Sequence, residues 1–196
     1  MKNHPEKILC IKTEDFFKEG EWEGFKISNL DYYKKIIKEK QIFMPREDIE
    51  EDPNYKQIIA QVLLRHDDRY FLHKQEDSAE GRLNGLWPLF LGGHIEEFDN
   101  NPNADIIETA LLRELDEEVT IDGNITNKEF LGLVYVNDQT PVTRVHTGLV
   151  YLFDIDSEEV HIKEDGLKEV GFVTLDYLKE NVKHLTPWSR LIINYL

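Results

Sequence analysis

The sequence has one cysteine in 196 residues, Cys10, which excludes an intrachain disulfide and suits a reducing compartment. Long apolar runs are missing as well: nothing approaches the roughly 18 consecutive apolar residues of a membrane-spanning helix. The N-terminus, MKNHPEKILCIK, lacks the apolar stretch of a signal peptide. A cytoplasmic protein with no membrane partner is expected. Basic residues are scarce. Lys and Arg number 23 against 39 Asp and Glu, a formal charge of −16. Such a chain has no general nucleic-acid surface, because phosphates are neutralised by basic patches. Its route to a phosphate compound is a bridging divalent cation. Internal repeats and low-complexity tracts are absent too.

What the chain does have is enough apolar material for a core, with 40% hydrophobic and 11% aromatic residues. The length fits one domain with an appendage. Residues 8–11 (ILCI) read as a strand. Ser28 with Asp31 three residues on reads as the start of a helix running to about residue 40, and 46–54 (REDIEEDPN) as an acidic linker. The first 50 residues are too few for a large core. They are expected to dock on the rest of the chain or on a partner chain, as in a homodimer. From residue 57 the pattern changes to period two with β-branched residues. Residues 57–65 and 69–75 then read as a hairpin across His66-Asp67-Asp68. A loop at 75–85 carries Gly81 and Gly85. Strands are expected at 129–136, 144–155 and 169–175, the first two joined around Asp138-Gln139-Thr140-Pro141. Short helices are expected at 175–180 and after Thr186-Pro187. Strands, helix, strands, helix make the class α/β (α+β), a mixed β-sheet covered by helices.

Chemistry concentrates in residues 92–121, GGHIEEFDNNPNADIIETALLRELDEEVTI. On a helix, Ile107, Leu111, Leu115 and Val119 form one buried stripe. Glu114, Glu117 and Glu118 share a neighbouring side at i, i+3, i+4, and Asp116 falls away from them. Two carboxylates about 4 Å apart repel by roughly 4 kcal/mol at an effective dielectric of 20. Three packed beside a strand layer therefore call for a cation or for raised pKa values. Hard divalent ions favour such oxygens and make bound water acidic. A solvated acidic face is the competing reading of the same residues.

The stretch resembles the Nudix box of the Nudix hydrolases, G-x5-E-x7-R-E-U-x-E-E-x-G-U, where U is bulky and apolar. Arg113-Glu114-Leu115-Asp116-Glu117-Glu118 matches its centre position for position. Gly93 matches its leading glycine and Ile121 its final U. Asp99 stands in the first glutamate's place when counted from Gly93, and Asp105 when counted back from Arg113. The six-residue difference implies an insertion, NNPNAD, and Thr120 replaces the box glycine. The resemblance covers residues 56–196, and the chain is most similar to the predicted phosphoesterase branch of the family.

The resemblance implies a Nudix-like mixed sheet sandwiched between helices, with residues 1–50 as an N-terminal extension. It implies Mg²⁺ or Mn²⁺ held by Glu114, Glu117, Glu118 and the Gly93 carbonyl, with Arg113 holding the glutamates in place. Water would attack phosphorus in a nucleoside diphosphate linked to another group, a small nucleotide-derived substrate. The general base would be a box glutamate or Glu158, Glu159 or Glu164. Arg46, Arg82 and His94 are candidates for meeting substrate, although surface arginines more often pair with carboxylates. His146 reads as structural. Trp87, Phe90 and Tyr135 are more often core than base-stacking platforms. Residues 99–105 superficially look like a calcium loop but lack its sixth-position glycine and twelfth-position glutamate, so a polar surface loop is expected. A non-catalytic nucleotide-sensing module competes with the enzyme. An isoprenyl diphosphate isomerase would want a well-placed cysteine, and Cys10 lies far from the box.

Overall fold

A computed structural model describes residues 6–76, 85–137 and 141–196. Gly81, Arg82 and Asp138-Gln139-Thr140 fall outside the described residues. In chain order the elements are β1 (Lys7–Lys12), α1 (Thr13–Phe16), β2 (Gly24–Lys26), α2 (Leu30–Lys40), β3 (Ile42–Pro45), α3 (Arg46–Ile49), β4 (Tyr55–His66) and β5 (Arg69–Gln75). A 3₁₀ turn at Glu97–Asp99 precedes α4 (Ile106–Glu118). Then come β6 (Val119–Ile121), β7 (Ile125–Tyr135), α5 (Pro141–Val145), β8 (His146–Ile155), β9 (Val160–Ile162), β10 (Leu167–Thr174), α6 (Leu175–Glu180) and α7 (Pro187–Ile192). The main sheet has the order β10-β5-β4-β8-β7-β2, with β1 on β4 and β3 on β1; β6 and β9 form a separate ribbon. The fold is α/β, as the alternation of periods implies.

The chain divides into two compact units. One comprises residues 1–60, 93–112 and 132–149; the other comprises 61–92, 113–131 and 150–196. In the first unit, β1 is buried at four successive residues, Ile8 to Ile11, because it pairs antiparallel with β3 on one edge and β4 on the other. Ile8, Cys10 and Ile49 form a core cluster against which Ile42, Met44 and Tyr55 pack. Residues 46–54 are therefore not simply a linker. Their first turn is helical, Ile49 is fully buried, and its carbonyl accepts the Gln57 side-chain amide at 3.0 Å. Phe16, Phe17, Trp22, Tyr33 and Tyr135 form a second cluster, with ring centroids 5.1–6.5 Å apart. Strand β2 pairs with β7 at Gly132's neighbour, Lys26 opposite Leu133.

Ser28 does not cap α2. Asn29 holds the N-cap position in a left-handed conformation (φ 57°), with no side-chain cap bond, which asparagine tolerates better than most residues. Arg144 and Val145, expected to open a strand, instead end α5, and β8 starts at His146.

In the second unit the β4–β5 hairpin turns through Asp67, itself left-handed at φ 52°. β10 adds to β5 over Leu167–Thr174, with a bulge between Glu169 and Gly171. Strand β4 is buried at nine successive residues, so it does not alternate as a period-two strand would; a strand with neighbours on both edges and cover on both faces buries every position. Helix α7 stops at Ile192, short of the chain end; Thr186 precedes it and its hydroxyl meets Ser189 at 2.7 Å.

Candidate active site

Helix α4 begins at a side-chain cap. Asp105 Oδ1 accepts the Ile107 and Glu108 backbone N–H groups at 3.0 and 3.1 Å. Asp99 has a different task. It is buried, and its Oδ2 accepts the Glu96 N–H at 2.8 Å within the 3₁₀ turn. Residue counting could not separate these acids because the insertion lies between them. Asn101 accepts the Asn103 N–H at 3.0 Å in that insertion, an exposed polar turn. Asp105→Ala is expected to remove about 1 kcal/mol of stability. A thermal melt should show a fall of about 2–4 °C per kcal/mol for a chain of this size.

The apolar stripe is buried as expected: Ile107, Leu111, Leu115 and Val119 are all at most 6% exposed. On the adjoining side, Arg113 Nη1 donates to Glu114 Oε1 at 2.8 Å and to Glu117 Oε2 at 3.0 Å. Arg113 and Glu114 are nearly buried, Glu117 half exposed. Glu118 accepts the Gly92 N–H at 2.8 Å. Gly92 aims that N–H with φ at 135°, where a side chain would be strained. Asp116 points away, 89% exposed, with Lys163 3.6 Å from its carboxylate. Helical geometry thus separates Asp116 from the other three acids.

Burial, then the charges of Glu164, Glu114 and Glu117, push the Glu118 carboxyl up to about 9, against the opposing pull of the Gly92 N–H. Burial and Glu117 also raise Glu164. The β6–β9 ribbon supplies Glu164. Val119 pairs with Ile162, and the Lys163 N–H donates to the Glu118 carbonyl at 2.8 Å. The Lys163 ammonium also donates to the Asp116 carbonyl. Of the three later acids, Glu164 is the one this ribbon carries to the helix end. Glu158 accepts from Arg69 at 3.1 Å, and Glu159 is exposed. Lys163 was not singled out in the sequence, and a three-residue strand gives no periodicity to reveal it.

Among the described residues, no three His, Cys, Asp or Glu side chains already converge as a metal cage. Arg113 engages Glu114 and Glu117, and Gly92 engages Glu118. The donor chemistry nonetheless suits a hard divalent ion: carboxylate oxygens, one of them partly buried among like charges. Gly93 belongs to the first unit, where its carbonyl accepts the Ala60 N–H at 2.9 Å.

The remaining candidates fall in different places. Arg46 donates to Glu50 at 3.1 Å and, with Glu6, Glu47 and Glu50, lines a cavity of about 370 Å³ whose acidic walls oppose phosphate. Arg82 lies outside the described residues. His94 meets His146 and Gln57. Phe90 and Tyr135 are buried, and Trp87 is stacked on His184 at 4.9 Å with Lys74 4.7 Å over its ring. Cys10 is fully buried, and burial pushes its thiol up to about 12, so it is no acid or nucleophile. No described helix is long and apolar enough to cross a membrane.

Comparison with known proteins bears on the same residues. Residues 55–196 match the NUDIX domain family model. The crystal structure of Tm1382, provisionally described as a Nudix hydrolase, superposes with a TM-score of 0.82 at 31% identity, over 97% of this chain and 100% of that one. YmaB of Bacillus subtilis (strain 168) is 29% identical over 161 residues, 78% of this chain and 77% of YmaB. The Nudix domain of Shewanella oneidensis NrtR, solved with ADP ribose, shares the fold with a TM-score of 0.52 at 18% identity, over 71% of this chain and 84% of that one.

Proposed function

The chain belongs to the Nudix family and is a pyrophosphohydrolase of that type; from this premise we propose that it hydrolyses a phosphoanhydride bond in a nucleoside diphosphate linked to another group, using Mg²⁺ or Mn²⁺. The observation that carries this reading is Glu118, a partly buried carboxylate at the end of α4 that accepts the Gly92 N–H and is crowded by the charges of Glu164, Glu114 and Glu117. Without a cation such a grouping is costly. Glu114, Glu117 and Glu118 would hold the metal. When bound, the metal would acidify water and neutralise charge on the departing phosphate.

The chain's own residues do the rest. Arg113 bridges Glu114 and Glu117, fixing two carboxylates by one guanidinium, as outer-shell partners orient ligands elsewhere. Gly92 N–H fixes one oxygen of Glu118 and leaves the other for the ion. Glu164 is our candidate to take the proton from water. Its raised pKa moves it toward the range where a base works near neutral pH.

The test is a panel of nucleoside diphosphate derivatives assayed for phosphate-product release with Mg²⁺ or Mn²⁺. Release from one class is expected, falling by about 100-fold or more in Glu117→Gln. Unchanged release in that variant would overturn the assignment. Ligand-induced thermal stabilisation with no turnover across the panel would leave the sensing module instead.

A further inference from the structure

The last turn of α4 is built against its own electrostatics. Asp116, Glu117 and Glu118 put negative charge at the negative end of the helix, and no basic residue of α4 lies in that turn. The last four carbonyls of a helix also lack partners within it. One residue from another segment of the second unit answers both deficits. Lys163 donates its backbone N–H to the Glu118 carbonyl at 2.8 Å. Its ammonium donates to the Asp116 carbonyl and lies 3.6 Å from Asp116 Oδ1.

Glu164 is the next residue. The β6–β9 ribbon that leads to it has three residues in each strand and stands apart from the main sheet, a size with little stability of its own. Glu164 acts on Glu118, and Glu117 acts on Glu164, as like charges. Their repulsion pushes the segment off the helix. Beyond Glu164, the Gly166 carbonyl accepts the Glu76 N–H at 2.8 Å, which ties down the far side of the bend. On the near side the tie is Lys163, by its backbone and by its charge.

We infer that Lys163 is a positioning residue for the hydrolysis: its ammonium, seated on the C-terminal end of α4, holds Glu164 toward the box glutamates against their mutual repulsion. The inference rests on the reading of Glu164 as the group that takes the proton from water. Lys163 itself touches no reacting atom. Asp116, the acid that faces away from the other three, supplies the seat with its carbonyl and its carboxylate.

The test starts from Lys163→Gln in the full chain, which removes the charge and keeps the backbone bond to Glu118. Amide exchange at residues 163–165 should quicken and should return toward wild type in Lys163→Arg. With saturating Mg²⁺, kcat on the substrate found in the panel should fall about 10-fold or more, KM should hold, and Lys163→Arg should restore the rate. A lysine that acts through Glu164 has nothing to position once that carboxylate is gone. In a Glu164→Gln background, Lys163→Gln should therefore lower kcat no further. Losses that multiply in the double variant, a wild-type kcat in Lys163→Gln, or a wild-type kcat in Glu164→Gln would overturn the role. Unchanged exchange would overturn it too, and that readout needs no turnover. Quickened exchange in a protein that hydrolyses nothing on the panel would instead show the hydrolase reading to be at fault, and the catalytic role of Lys163 would fall with it.

Discussion

Glu118→Gln should melt at a higher temperature than the wild type in chelator at pH 8, and should turn over substrate at least about 100-fold more slowly with metal present. Both effects come from one carboxyl. Its folded pKa is raised from 4.5 to about 9, burial first and neighbouring glutamates second. Proton counting gives the sign. Between pH 4.5 and 9 the folded state holds a proton that the unfolded state has released, so wild-type stability falls as pH rises through that window. Below the lower value both states are protonated and the penalty is absent; above the upper one both are ionised and it is complete. Each pH unit crossed costs at most about 1.4 kcal/mol. Glutamine cannot ionise, yet its amide oxygen can still accept the Gly92 N–H. The variant's advantage should therefore be nil near pH 4.5 and grow with pH, at about 2–4 °C per kcal/mol. Mg²⁺ or Mn²⁺ should reverse the order by stabilising the wild type more. Melting curves of the two proteins in chelator that shift in parallel from about pH 5 to 8 would show that Glu118 does not carry the burden described.

Gly132→Ala should lower the melting temperature sharply. A Cβ at Gly132 would lie 2.4 Å from the Lys26 carbonyl oxygen and 3.2 Å from its carbon, with Phe25 Cζ at 3.0 Å. The first two are backbone atoms of β2, and they cannot swing aside as a flexible side-chain end would. Strand β2 must shift away from β7, where Phe25 and Lys26 lie opposite Val134 and Leu133. Overpacking of this kind costs typically about 1–3 kcal/mol. Amide exchange at residues 24–26 should quicken more than exchange in β1. Gly171→Ala is the control: its φ of 97° strains alanine, but no atom lies within 4 Å of the added carbon. Equal losses in the two variants would mean that backbone conformation, not the close approach of β2, sets the cost.

The long elements were readable because their pattern is local. Ile8 to Ile11 is apolar without a break, the β4–β5 hairpin flanks a polar turn, and α4 carries its stripe and its acids at helical spacing. The Nudix box and its departures came from the same stretch. What escaped reading depends on partners far along the chain. Strands β2, β6 and β9 have three residues each, too few for a period, and exist because β7 and one another pair with them. Glu164 could not be preferred over Glu158 and Glu159 until the ribbon carried it to Glu118. Asp99 and Asp105 are equivalent by counting and separate only by what they bond: one pins a 3₁₀ turn, the other starts a helix. Ser28 failed as a cap because the chain turns through Asn29 instead.

The two units are interleaved along the chain, each assembled from three separate stretches, with crossings inside β4, α4, β7 and β8. No contiguous gene fragment therefore encodes either one. Recombination that trades a single segment between related genes replaces part of both units at once, so inheritance favours the ensemble. Variation that preserves the fold must arrive as point changes or as loop insertions such as NNPNAD.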